Sequence, residues 1–93
     1  MTLFWHPLAM ADRERIVDFI ACDKPLAAVA LDENFDNHAL RIEANPALYR
    51  PGRVAGTREA VVHPNYVMVY RIEGESVTIL RVLHSAQRWP SAQ

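Results

Sequence analysis

The chain has 93 residues, 51% of them hydrophobic, with a net charge of -1, which is enough for one domain that builds a core without staples. Its single cysteine, Cys22, excludes an internal disulfide framework and fits a reducing cytoplasm. No run approaches the roughly 18 apolar residues of a membrane span, no basic n-region precedes an apolar h-region at the start, so no secretory leader is expected, and near-neutrality argues against non-specific binding of long nucleic acid.

Thr2 to His6, an aromatic and aliphatic run stopped by Pro7, is a first strand that buries Leu3 and Trp5 or Phe4. Pro7 opens a helix reaching about Ala21. Ile16, Phe19 and Ile20 form its inward stripe, and Asp12, Arg13, Glu14, Arg15 and Asp18 turn outward. Cys22, at the end of this segment, takes the place of a small buried apolar residue. Asp23-Lys24-Pro25 breaks the helix and starts a second, on which Ala28, Leu31, Phe35, Ala39 and Ile42 recur at three- and four-residue steps up to Asn45-Pro46. So short a link makes the two helices antiparallel neighbours.

Ala47 to Gly56 is a loop, Thr57 to Val62 a strand, and His63-Pro64-Asn65 a turn. Two runs dense in Val, Ile, Tyr and Leu follow, Tyr66 to Ile72 and Val77 to Leu83, joined by Glu73-Gly74-Glu75-Ser76. That is a hairpin, with glycine where the turn needs a positive φ. With Ile72 opposite Val77, one face holds Tyr66, Met68, Tyr70, Ile72, Val77, Ile79, Arg81 and Leu83. The other holds Val67, Val69, Arg71, Thr78, Leu80, Val82 and His84. The fold class is α+β, in the order β-α-α-β-β-β, with an antiparallel helical hairpin on one face of a mainly antiparallel four-stranded sheet, one domain over 1–93.

From Arg50 onward, six arginines (Arg50, Arg53, Arg58, Arg71, Arg81, Arg88) face three carboxylates (Glu59, Glu73, Glu75). Guanidinium groups on strands and loops suit bidentate binding of carboxylate or phosphate, although charge also serves to protect a sheet edge. The four histidines, His6, His38, His63 and His84, have no CxxC or HExxH spacing beside them, and there is no glycine-rich phosphate loop and no GxSxG. No metal and no cofactor is expected. If the chain cuts RNA, His84 is the general acid or base, with Arg81 and Arg58 stabilising the charge that develops on phosphorus. The plainer role for His84 is a backbone hydrogen bond at a strand end, with Trp89 as a lid on the core and His63 as a turn residue.

The string from Gly52, GRVAGTREAVVHPNYVMVYRIEGESVTILRVLHSAQRWP, resembles the C-terminal half of RelE/ParE family toxins, and DRERIVDFIACDKPLAAVALDE is similar to the opening helices of that family. The resemblance implies the β-α-α-β-β-β fold and the toxin half of a type II toxin-antitoxin pair, neutralised by an antitoxin whose extended or helical tail wraps the toxin. Arg53, Arg58, Arg71 and Arg81 would anchor that tail's carboxylates on a sheet face left bare by the helices, with Gln87, Arg88 and Trp89 nearby. Members that cleave mRNA on the ribosome carry a catalytic arginine one residue after the tyrosine opening the third strand, where this chain has Val67. The LRVLH ending is nearer the ParE branch, which implies inhibition of DNA gyrase by binding. The alternatives are a ribosome-dependent mRNA interferase and a degenerate toxin that keeps only antitoxin binding.

A β-branched residue is penalised at positive φ, so Gly74→Val is expected to lower the melting temperature by about 4–8 °C, the equivalent of roughly 1 kcal/mol in a chain of this size. An unchanged melting temperature would move the turn elsewhere.

Overall fold

A computed structural model describes residues 1–90 of the chain. The elements run β1 (Thr2–Trp5), α1 (Pro7–Ala21), α2 (Pro25–Ala44), β2 (Arg50–Pro51), β3 (Arg58–His63), β4 (Tyr66–Glu73) and β5 (Ser76–His84). One five-stranded sheet has the order β1-β5-β4-β3-β2. All neighbours are antiparallel except β1, which lies parallel to β5 with Leu3 opposite Val77 and Trp5 opposite Ile79. β2 is the strand that periodicity did not reveal, because a two-residue bridge containing Pro51 has no alternation to detect. No helix among the described residues is long and apolar enough to cross a membrane.

Both helices begin at a proline, where the missing N–H costs nothing. His6 caps the first: its Nδ1 accepts the Leu8 N–H at 3.0 Å. On α2 the buried residues are Ala28, Leu31, Phe35, Ala39 and Ile42, the stripe expected from their spacing. Leu31, Phe35, Ala39 and Ile42 pack with Met68, Tyr70, Val77, Ile79 and Val82 into the core between helices and sheet. Burying a side chain such as Phe35 or Ile42 contributes roughly 1.5–3 kcal/mol.

α1 departs from its expected pattern in three places. Phe19 is 76% exposed, Cys22 is exposed, and Asp12 is buried at 2%. The spacing itself explains Asp12, which stands four residues before Ile16 and eight before Ile20, on the inward stripe. Phe19, three residues after Ile16 and seven after Asp12, sits at the margin of that stripe and turns out to solvent.

The hairpin forms around Gly74, whose φ is +58°, with Ile72 opposite Val77 as expected. Farther along, the register shifts. Tyr70 faces Ile79 but Val69 faces Arg81, so Leu80 is an extra, bulged residue. Beyond it every side chain changes face: Val82 joins Met68 beneath the helices, and Leu83 joins Val67 on the opposite side. Placing Leu83 on one face with Met68 and Val77, and Val82 with Val67, was therefore wrong, because strict alternation cannot register an inserted residue.

Gly52 sits against β3, donating its N–H to the Thr57 carbonyl at 2.7 Å. A Cβ built there would lie 2.3 Å from Thr57 Oγ1 and 3.2 Å from the Thr57 backbone. Gly52→Ala is accordingly expected to destabilise the fold by about 1–3 kcal/mol, measured by urea denaturation. A loss below a few tenths of a kcal/mol would mean the loop relaxes freely.

Candidate functional site

The sheet face away from the helices is neither bare nor evenly covered. Val67, Val69 and Leu83, from the two central strands, form a small apolar cluster there, each at most 2% exposed. Trp89, from the segment after β5, packs on them and supplies their cover. That segment is fixed by polar contacts. Gln87 N–H donates to the His84 carbonyl at 2.8 Å, and the Arg53 guanidinium donates to the Gln87 carbonyl at 3.0 Å.

Arg53 is itself held by Glu59, on β3 opposite Val69. The Glu59 carboxylate, with 3% of its side chain exposed, accepts the Arg53 backbone N–H and Nε at 2.9 Å each and Nη2 at 3.2 Å. Arg50, its partner on β2, approaches to 3.5 Å. Burial alone would push this carboxyl up, but the Arg53 hydrogen bonds and the charges of Arg53 and Arg50 outweigh it and hold it below the usual carboxylate range.

A second ion-pair node lies at the outer edge of β5. β1 ends at Trp5, and past that point the edge would be open. Asp12 closes it. Its carboxylate takes Arg81 Nε at 2.7 Å and Nη2 at 3.0 Å, the Val82 N–H at 3.0 Å, and Arg15 at 2.7 Å. Burial raises the Asp12 carboxyl, and Arg81, Val82 and Arg15 together bring it below its ordinary value. Arg81 is raised chiefly by its hydrogen bond to Asp12.

The expected arginine cluster is thus dispersed. Arg53, Gln87 and Trp89 come together on the open face, with Arg88 exposed beside them in sequence. Arg71 is on the same sheet, opposite Thr78, exposed and 3.5 Å from Glu73. Arg58 is spent on the loop carbonyl of Tyr49, at 2.7 Å, near Tyr70, whose hydroxyl bonds the Pro46 carbonyl. Arg81 belongs to Asp12. His84 stacks edge-on against Tyr66, with ring centres 5.7 Å apart, and its Nδ1 accepts the Ala86 N–H. His63 does likewise for Asn65, as a turn residue should. Among the described residues no three His, Cys, Asp or Glu side chains are grouped to hold a metal ion. Asp12, Glu59 and Arg50 were missed. For Asp12 the stripe shared with Ile16 was the available signal.

Residues 3–89 match the family described as ParE toxin of type II toxin-antitoxin system, parDE. A curated protein of Sinorhizobium fredii (strain NBRC 101917 / NGR234), named "Putative toxin Y4kP", is 34% identical over 87 residues, spanning 92% of this chain and 90% of its own. A solved structure of the chromosomal ParDE TA system from P. aeruginosa aligns with a TM-score of 0.80 and 25% identity over 90% of this chain and 95% of that one. The heterotetrameric YoeB-YefM toxin-antitoxin complex from Staphylococcus aureus aligns at 0.65 with 12% identity over the same shares, a likeness of fold.

Asp12 and Glu59 have ordinary values of 3.8 and 4.5, and both are lowered in the fold. Each therefore contributes stability that is complete above those values and is lost as pH falls through the lower folded ones. Thermal melts should show stability dropping between about pH 5 and pH 2, with a shallower slope in Asp12→Asn and Glu59→Gln. Asp12→Asn should also cost about 2–3 kcal/mol at neutral pH, since it leaves Arg81 and the Val82 N–H poorly matched. A double variant whose acid profile is as steep as wild type would assign the effect to other carboxyls.

Proposed function

The chain belongs to the ParE toxin family of type II toxin-antitoxin systems, and from that premise we propose that it acts in the cytoplasm by binding and inhibiting DNA gyrase, held inactive by a cognate antitoxin. The observation that carries binding over cutting is the dispersal of His84, Arg81 and Arg58. A nuclease needs its proton-transfer group and its cation within hydrogen-bond reach of one phosphate. Arg58 stands opposite Tyr70 and His84 opposite Tyr66, which puts their backbone positions about 13 Å apart along β4. The Arg81 guanidinium is occupied by Asp12. Val67, where the resemblance places an arginine in mRNA-cleaving members, is buried and apolar.

The antitoxin fits the open face. An acidic amphipathic segment could set apolar side chains at the edge of the Val67, Val69, Leu83 and Trp89 patch and carboxylates on Arg50, Arg53, Arg71 and Arg88. The solved toxin-antitoxin complexes of the same fold support such a partnership.

The purified protein should abolish gyrase supercoiling near stoichiometric ratio, and His84→Ala should inhibit as well as wild type. Arg71→Glu with Arg88→Glu, both at exposed positions, should weaken antitoxin binding by about tenfold or more, as for charge-assisted contacts. Intact supercoiling together with messages cut at the ribosomal A site would replace this reading with an mRNA interferase. If both assays are silent but the antitoxin still binds, the chain is a degenerate toxin.

A further inference from the structure

β1 stands at one edge of the sheet, with β5 as its neighbour. Thr2 and His6 turn their N–H groups inward, to the carbonyls of Glu75 and Ile79 at 3.0 and 2.8 Å. By alternation the N–H and C=O groups of Leu3 and Trp5 point away from the sheet, two donors and two acceptors in a row. A sheet edge is normally blunted by a charge, a proline or a bulge. Thr2 to Trp5 holds none of these, and the residues beside it on β5, Ser76, Val77, Thr78 and Ile79, are uncharged as well. Leu3 and Trp5 pack against the core beneath the helices, which leaves Phe4 on the open face, 53% exposed and opposite Thr78. The far edge of the sheet is different: β2 is two residues long, and its Pro51 has no N–H to offer.

We propose that β1 is the interface of a homodimer, pairing antiparallel with β1 of a second copy about a twofold axis at Phe4. In that register Leu3 of each copy faces Trp5 of the other, so every outward backbone group of both residues is matched. The two Phe4 residues form the closer, non-hydrogen-bonded pair at the axis, with Cα atoms about 4.5 Å apart and both rings on the open face. Charge selects the occupant. An acidic strand would find no cation within Thr2–Trp5 or the stretch of β5 beside it, and a basic strand would find no carboxylate. A strand as neutral as β1 itself meets no such mismatch, and self-pairing sets no like charges opposite one another. The contact also closes: Pro7 ends the ladder, the pairing uses up both free β1 edges, and Pro51 on the far edge discourages further growth. An interface built on one strand is small, which puts the association in the weak class. The proposal holds whichever target the toxin has.

Sedimentation of the purified chain over about 1–500 µM reads the mass directly. Wild type should rise from 10.6 kDa toward twice that value, half dimeric at about 10–100 µM. Phe4→Lys, which sets two ammonium groups against each other at the axis, should weaken association by about tenfold or more. Leu26→Lys places the same charge at an apolar position of α2 that is 85% exposed, and should stay within about threefold of wild type. In a Cys22→Ser background, Phe4→Cys should form an interchain disulfide on mild oxidation well before Leu26→Cys does, because the closer pair of two antiparallel strands lies within disulfide reach. Circular dichroism checks the fold of each variant. The proposal is overturned by a wild type that stays at 10.6 kDa throughout, by a Phe4→Lys variant that dimerises as wild type does, or by a Leu26→Lys variant that loses as much. Equal rates of disulfide formation at the two positions overturn it too. If wild type is monomeric and Phe4→Lys instead loses affinity for the cognate antitoxin in calorimetry, the edge belongs to the antitoxin and not to a second copy.

Discussion

One inserted residue in the last strand sets the arrangement of both faces of this molecule. Leu80 bulges out of the β4–β5 ladder, and the strand beyond it is turned over. Leu83 thereby reaches the open face, where with Val67 and Val69 it makes the seat for Trp89. Val82 moves under the helices. At the same place the Arg81 guanidinium and the Val82 N–H are brought to the one carboxylate on α1 that faces inward. A bulge leaves backbone groups in need of partners, and Asp12 supplies them. Without that carboxylate the edge of β5 would offer an unpaired donor beyond the end of β1, the kind of edge that invites unwanted pairing.

Two buried carboxylates, Asp12 and Glu59, do related work at opposite ends of the sheet. Asp12 ties a helix to a strand edge, and Glu59 ties the loop after β2 to the open face. Neither is a catalytic arrangement, because each is saturated by arginines and backbone N–H groups and keeps its charge. Buried pairs of this kind contribute little net stability against a well-packed apolar alternative but fix relative position strongly, since breaking one leaves a charge without its partner. Here they fix the tail: Arg53 joins Glu59 to the Gln87 carbonyl, and the position of Trp89 follows.

What the sequence disclosed follows from which signals are periodic. The α2 stripe from Ala28 to Ile42, the Pro7 and Pro25 helix starts and the Gly74 turn were readable because each rests on spacing or on a backbone requirement of one residue type. The bulge at Leu80 was not, since an inserted residue leaves the composition of a strand unchanged. Asp12 was misplaced by its polarity although its spacing put it inside, and Phe19, which its spacing leaves at the margin of the stripe, was placed inside by its hydrophobicity. The candidate site suffered most. Arg58 and Arg81 looked like surface charges, and only the fold reveals that each is committed to a partner within the chain.

The strand that completes the sheet on one side lies more than seventy residues from its partner, Thr2 opposite Ser76. Thr2 cannot pair with Ser76, nor Trp5 with Ile79, until the β4–β5 hairpin is available. Closing so long a loop carries a large entropic cost before any contact repays it, and parallel pairing of distant segments is slow. While translation proceeds, the helical hairpin can form but has no sheet to cover, and its Phe35 and Ile42 remain in water. Until β5 is in place, that apolar stripe stays open to association with other chains.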